Sequence, residues 1–356
     1  MVEGDFIIYW VAISQFYTNK IATVYNFSLF QHEMEKIMGI PYPAGFFYPP
    51  TFLLMLLPLS SLPYLASLIT WLLITLVCYV LVLRYIAPHR LTIWLSLAFP
   101  ATLLNINYCQ NGFLSAGLLG GGLLLLNRIP FAAGILFGLL SYKPQLAALV
   151  PIALIAGQHW RALFFFITTC ALMILISLFV MGSEPWVAFL NNISTPLKIL
   201  EANYQGLVLP WDKMISVFVT SRQVGCNLLA SRMLQLTTMV LTLGITTWVW
   251  FKKPSYPIQA SVLTLSALLF TPFAYEYDLT VLGLAIAWMG WEGYNKGWLR
   301  GEKFLLIFAW LTPVLSRIIA TLTGVQITPL ILFILILSAL RRMVLERKAM
   351  CQTFPF

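Results

Sequence analysis

Four long stretches of this chain contain no Asp, Glu, Lys or Arg: between Lys36 and Arg84, Arg90 and Arg128, Lys253 and Glu276, and Arg317 and Arg341. A charge at the bilayer centre costs about 2.5–3.5 kcal/mol on insertion scales, so spanning helices need apolar runs of about 20 residues. The chain is 60% hydrophobic and 9% charged, against about 45–50% and about 25% in a soluble domain. It reads as an integral membrane protein. A β-barrel would alternate apolar and polar positions, and "LITWLLITLVCYVLVL" at 68–83 does not. The expected fold is an all-α polytopic membrane protein.

Apolar runs between polar breaks place about eleven transmembrane helices, near 63–86, 91–107, 112–127, 130–142, 145–158, 161–181, 226–251, 258–273, 279–291, 303–320 and 327–345. No internal repeat or low-complexity linker divides residues 1–356, which are read as one membrane-embedded domain. Its parts are a loop at 1–62, helices over 63–181, a loop at 182–225, helices over 226–345 and a tail at 346–356. On this threading 13 of the 21 Lys and Arg, Arg84, Lys253 and Arg341 among them, share one face. The positive-inside bias makes that face cytoplasmic, and it accounts for the net charge of +9 without nucleic acid. Nine of the 12 acids collect on the other face, with both large loops. That face is extracytoplasmic, on a plasma (inner) membrane. The first loop then lacks a preceding span: either an upstream helix makes twelve, or residues 6–16 insert without a leader.

Within the first loop, "TFLLMLLPLSSLP" after "YPAGFFYPP" (42–50) is too short to cross and reads as an interfacial or re-entrant helix. The 182–225 loop, with Trp186 and Trp211, reads as an amphipathic lid. The cysteines (78, 109, 170, 226, 351) form no CxxC pair and read as core residues, although Cys109 and Cys226 share a face and a disulfide between them is compatible with that. The histidines at 32, 89 and 159 are too scattered for a metal site.

Polar breaks interrupt the apolar pattern. In "SYKPQ" (141–145) Pro144 disfavours helix at Lys143 and removes a donor. Irregular backbone at membrane depth is tolerated where it lines a cavity, so Lys143 is expected to face one; the alternative is a lysine snorkelling from a helix end. "NINYCQNG" (105–112) is either a second polar wall or a plain Asn/Gly turn. In "TPFAYEYDL" (271–279) Glu276 and Asp278 open a helix, where simple capping also explains acids. Arg232, about two turns into a helix, is expected to have an anionic partner. Acids, amides, aromatics and a few cations on one face describe a carbohydrate site: rings stack on sugars, amides and carboxylates meet hydroxyls, and Lys or Arg holds phosphate. The alternative is a transporter or flippase of lipid-linked sugar, but the paired interrupted helices of two related halves are not seen.

The ordered set "GDFIIYWVA" (4–12), "FFYPPTFLLMLLPLSSLP" (46–63), "CQNGFLSAGLL" (109–119), "SYKPQLAALVPIALI" (141–155) with "HWRAL" (159–163), and "TPFAYEYDLTVL" (271–282) resembles glycosyltransferase family 87. The resemblance implies a C-type glycosyltransferase fold, a polyprenyl-phosphate sugar donor, a lipid-linked or envelope glycan acceptor, and a mannosyltransferase-like hexosyl transfer. It implies that Asp5 is the catalytic base of an inverting displacement, with Asp278 in a second catalytic role. One carboxylate suffices for such a step, because polyprenyl phosphate is itself a good leaving group. Tyr9, Tyr48, Gln110, Asn111, Lys143, Gln145 and Glu276 would line the substrate site, and Lys143, Arg232 or Arg317 would hold the donor phosphate. Besides these substrates the expected partners are membrane lipids; no cofactor and no metal is expected. Oligosaccharide ligases and pyrophosphate-dependent transferases are the neighbouring alternatives. The chain departs from the family where a histidine is expected near "AYEYDL", offering Glu276, Tyr277 and Asp278 instead. As a plain structural role, Asp5 is also placed to cap the helix that follows it.

Overall fold

The computed structural model describes residues 4–18, 20–39, 45–202 and 210–353. Among these residues every regular element is helical, and one isolated bridge joins Met214 to Tyr275. Residues 42–44 of the "YPAGFFYPP" stretch lie outside the described residues. Among the described residues five helices are long and apolar enough to cross a membrane: Tyr64–Ile86, Trp160–Met181, Leu228–Lys252, Glu302–Thr323 and Thr328–Glu346. The other expected spans coincide with helices that are shorter or broken, such as Gly112–Leu125 and Tyr256–Phe270. Proline causes two of the breaks. Pro100 opens a new helix, so 91–107 becomes Thr92–Leu97 followed by Pro100–Tyr108, and Pro144 restarts the chain after the turn Leu140–Tyr142.

Small residues let the short helices nest. The helix Pro130–Leu139 lies on Trp160–Met181, where a Cβ at Gly134 would sit 2.6 Å from the Phe165 Cβ and one at Gly138 2.5 Å from the Thr169 Cβ. This is the small-xxx-small contact by which helices approach closely without a water-driven force between them.

The first helix, Phe6–Ser14, has 9 residues; at about 1.5 Å per residue that is about 14 Å, too short to span. It is buried through Phe6, Tyr9, Val11, Ala12 and Ile13. The expected re-entrant helix is Pro50–Leu56, followed by the turn Leu57–Ser61; Phe52, Leu53 and Leu56 are buried in protein. The 182–225 segment forms the helices Glu184–Asn191, Thr195–Ala202 and Val217–Gln223 and the turn Trp211–Lys213. It docks through Phe189, edge-on to Tyr25 at 5.6 Å. Cys109 and Cys226 are both free thiols. Cys109 ends its helix in the left-handed region, φ 53°, and its Sγ turns back to the Ile106 carbonyl at 3.3 Å.

Candidate active site

The three polar breaks meet because Lys143 reaches Asn111 and Asp278 and Gly112 packs against the Tyr277 carbonyl. The Gln110 N–H donates to the Asn105 carbonyl (3.2 Å), and the Asn105 side chain accepts from the Gly112 N–H (2.9 Å). A side chain at Gly112 would collide with the Tyr277 carbonyl and lie 2.6 Å from Asn105 Oδ1, so glycine is what allows the 105–112 and 271–279 segments to touch. The Asp5 N–H donates to the Tyr108 carbonyl at 2.8 Å, docking the start of the first helix on the same turn.

These segments enclose a cavity of about 720 Å³ whose walls include Asp5, Tyr9, Tyr48, Gln110, Lys143, Gln145 and Glu276. Residues 192–197 of the 182–225 segment contribute to the lining. Much of the wall is aromatic: Phe46, Tyr108, Tyr142, Tyr275 and Tyr277 line it as well, with the Tyr275 and Tyr277 rings stacked 5.5 Å apart and nearly parallel.

A continuous hydrogen-bond chain runs behind that wall. Gln110 Nε2 donates to Asp5 Oδ2 at 2.8 Å, and Tyr9 donates to Gln110 Oε1. Asn111 Nδ2 reaches both tyrosine hydroxyls, Tyr9 at 2.9 Å and Tyr48 at 2.7 Å. Lys143 Nζ donates to Asn111 Oδ1 at 3.0 Å and to Asp278 Oδ1, and Asp278 Oδ2 accepts from the Tyr275 N–H at 3.1 Å. The acceptor-only ends, Asp5 and Asp278, fix which way each amide points. Asp5 holds the helix N-cap position without a side-chain capping bond; Gln110 orients its carboxylate instead.

Glu276 anchors a second cluster. Its Oε1 accepts from Tyr108 (2.6 Å) and Arg317 (2.8 Å), and Arg317 also pairs with Asp212 at 3.2 Å. Burial pushes the Glu276 carboxyl up, outweighing the Tyr108 and Arg317 contacts that pull it down. Lys213 Nζ lies over the Tyr108 ring, 4.9 Å from its centre.

Asp5, Tyr9, Tyr48, Gln110, Lys143, Gln145 and Glu276 therefore come together, and Asn111 joins them from just beneath the surface. Asp278, expected among the catalytic groups, is 0% exposed and faces Lys143 instead of the cavity. Arg317 does not line the cavity and, among the described residues, reaches it through Glu276. Arg232 does not line the cavity; it is 48% exposed and holds Glu201 through two bonds (2.7 and 2.6 Å), the anionic partner its position called for. Tyr108, Tyr142, Tyr275 and Lys213 were not singled out by sequence reasoning. A tyrosine within or beside each break was the available signal for the first three; for Lys213 there was none beyond its place in the 182–225 segment.

The fold and cavity define a helical membrane protein with a ring-walled, carboxylate- and amide-bearing site suited to a hydroxyl-rich ligand. The family model described as glycosyltransferase family 87 matches residues 46–272, more than half of the chain, and the chain belongs to that family. It is a glycosyltransferase. No curated protein and no solved structure matches it.

Proposed function

We propose that this glycosyltransferase moves a hexose, mannose by family resemblance, from a polyprenyl-phosphate carrier to a lipid-linked or envelope glycan acceptor on the extracytoplasmic face of the plasma membrane. About eleven crossings in a C-type arrangement, with the basic end of the bundle cytoplasmic, belong to the same proposal. The observation that carries it is the Asp5 carboxylate, held by Gln110 on the wall of a 720 Å³ cavity lined with tyrosines. That volume falls within the range of about 300–1,000 Å³ usual for small-molecule sites.

On this reading Asp5 takes the acceptor hydroxyl's proton as its oxygen attacks the anomeric carbon, and the carbon–oxygen bond to phosphate breaks on the opposite side. The configuration inverts. Tyr48, Tyr275 and Tyr277 offer faces for sugar stacking, and Gln110, Gln145 and Glu276 offer partners for hydroxyls. Asp278 acts through Lys143, holding the "SYKPQ" break against Asn111. The test is Asp5→Asn in purified protein supplied with a polyprenyl-phosphate mannose. Loss of a positioned base is expected to slow transfer about 10²–10⁴-fold while donor binding is kept. Transfer at the wild-type rate by folded, donor-binding D5N overturns the role of Asp5. Donor movement across a bilayer with no glycosidic bond formed would replace the transferase reading by a transporter.

A further inference from the structure

A donor phosphate needs a cation whose charge is not already matched. The three cations expected for that role each carry a carboxylate partner. Lys143, 2% exposed, donates to Asp278 and Asn111. Arg317 lies between Glu276 and Asp212, and Arg232 is held by Glu201 outside the cavity. Lys213 differs from all three. It lines the same cavity as Asp5, is partly exposed, and among the described residues makes no ion pair.

Its place is built. The turn Trp211–Lys213 is pinned by Gln223 Nε2 on the Trp211 carbonyl (3.1 Å), by Gln326 Nε2 on the Asp212 carbonyl (3.3 Å) and by the Asp212–Arg317 pair. Just beyond it, the Ile215 N–H donates to the Ala274 carbonyl at 2.9 Å. The Lys213 ammonium rests on the Tyr108 ring at 4.9 Å, a contact that orders the side chain, and among the described residues its N–H donors make no hydrogen bond to oxygen. Tyr108 is also the residue whose carbonyl receives the Asp5 N–H. One tyrosine thus positions both the carboxylate and a cation that, among the described residues, has no direct ion pair.

We infer that Lys213 binds the phosphate of the donor and stabilises the charge that develops on it as the glycosidic bond breaks; this rests on the polyprenyl-phosphate reading above. The electron pair of the breaking carbon–oxygen bond stays with the phosphate oxygen beside Lys213, and the acceptor proton goes to Asp5. Lys143 keeps the amide–tyrosine wall in order but does not hold the phosphate.

The test uses the purified full chain and two probes, farnesyl monophosphate and farnesol, titrated against wild type, Lys213→Ala and Lys213→Arg, with thermal unfolding of each to confirm folding. Wild type is expected to prefer the monophosphate. K213A is expected to lose about tenfold or more of that affinity, the scale of a hydrogen bond to a charged group, with farnesol binding unchanged and K213R restoring most of the loss. If wild type prefers the monophosphate and K213A binds it equally well, Lys213 is not the phosphate ligand, while the donor reading stands. If wild type prefers neither probe, the donor reading falls and this inference with it.

Discussion

At the 297–301 turn, Arg342 grips Glu302 through both Nε and Nη2 and reaches the Gly297 carbonyl at 2.9 Å, and among the described residues no neighbouring hydrogen bond leads from this pair to the large cavity. At the 271–279 turn, Lys143 grips Asp278 and is also buried, but its other partner is Asn111, the centre of the chain that ends on Asp5. Both are buried ion pairs fastening a turn between helices. They differ in what hangs from them. The Arg342 pair closes a structural joint, whereas the Lys143 pair sets the wall of a site.

That difference is tested first where the effects are largest. Removing one partner of a buried pair leaves the other charge uncompensated, at about 3–5 kcal/mol, whereas replacing both by apolar residues of similar volume is often neutral or stabilising. Arg342→Met and Lys143→Met are each expected to lower the unfolding temperature by a comparable amount. The double variants then separate the two ends. R342M/E302L is expected to regain stability and to keep its turnover per folded molecule. K143M/D278L is expected to regain stability with transfer still impaired, because Asn111 has lost the donor that fixed it. Equal transfer rates for the two double variants would erase the distinction.

A step smaller, Gly112→Ala forces a methyl against the Tyr277 carbonyl and the Asn105 side chain; overpacking of this kind costs about 1–3 kcal/mol. It is expected to reduce transfer more than Gly138→Ala does, although Gly138 also packs tightly, against Thr169. Denaturation midpoints and turnover measured together decide this: matched stability losses with unmatched turnover losses place the 105–112 segment in the site.

Most of what joins the site was legible in the sequence, for a physical reason. Polar residues and prolines are so unfavourable in an apolar span that "NINYCQNG", "SYKPQ" and "TPFAYEYDL" announced themselves, and the three do converge. The pairing of charges was not legible. Lys143, Arg232 and Arg317 stand out as cations in apolar surroundings, and the same surroundings ensured that each found a carboxylate. Lys213 sits in a polar loop where a lysine carries no signal; only the fold shows it on the cavity wall over Tyr108. Helix lengths were hidden in the same way, since an apolar run such as 91–107 reads as one span until Pro100 divides it.

Tyr108→Phe refines the comparison further. It keeps the ring beneath Lys213 and the backbone bond to Asp5, and removes only the hydroxyl that donates to Glu276. A loss of about 1 kcal/mol in stability is expected, with phosphate affinity kept. A drop in farnesyl monophosphate binding as large as that of K213A would show that the hydroxyl, not the ring, supports the cation.

The smallest expected effect is a slope with pH. Glu276 lies in the turn between two helices, and burial raises its carboxyl above the ordinary glutamate value of about 4.3. Below that value the carboxyl is protonated in folded and unfolded chains alike, and it contributes nothing to the pH dependence. From there up to its raised folded value the native state holds the proton more tightly, so stability falls as pH rises through the window. Glu276→Gln cannot titrate and is expected to flatten this part of the wild-type curve of unfolding temperature against pH. Should the two curves run parallel across that window, Glu276 is ionised in the folded state as readily as in the unfolded one. Its contacts with Arg317 and Tyr108 would then offset its burial fully, and this cluster would resemble the closed joint at Arg342 more than the open wall at Asp5.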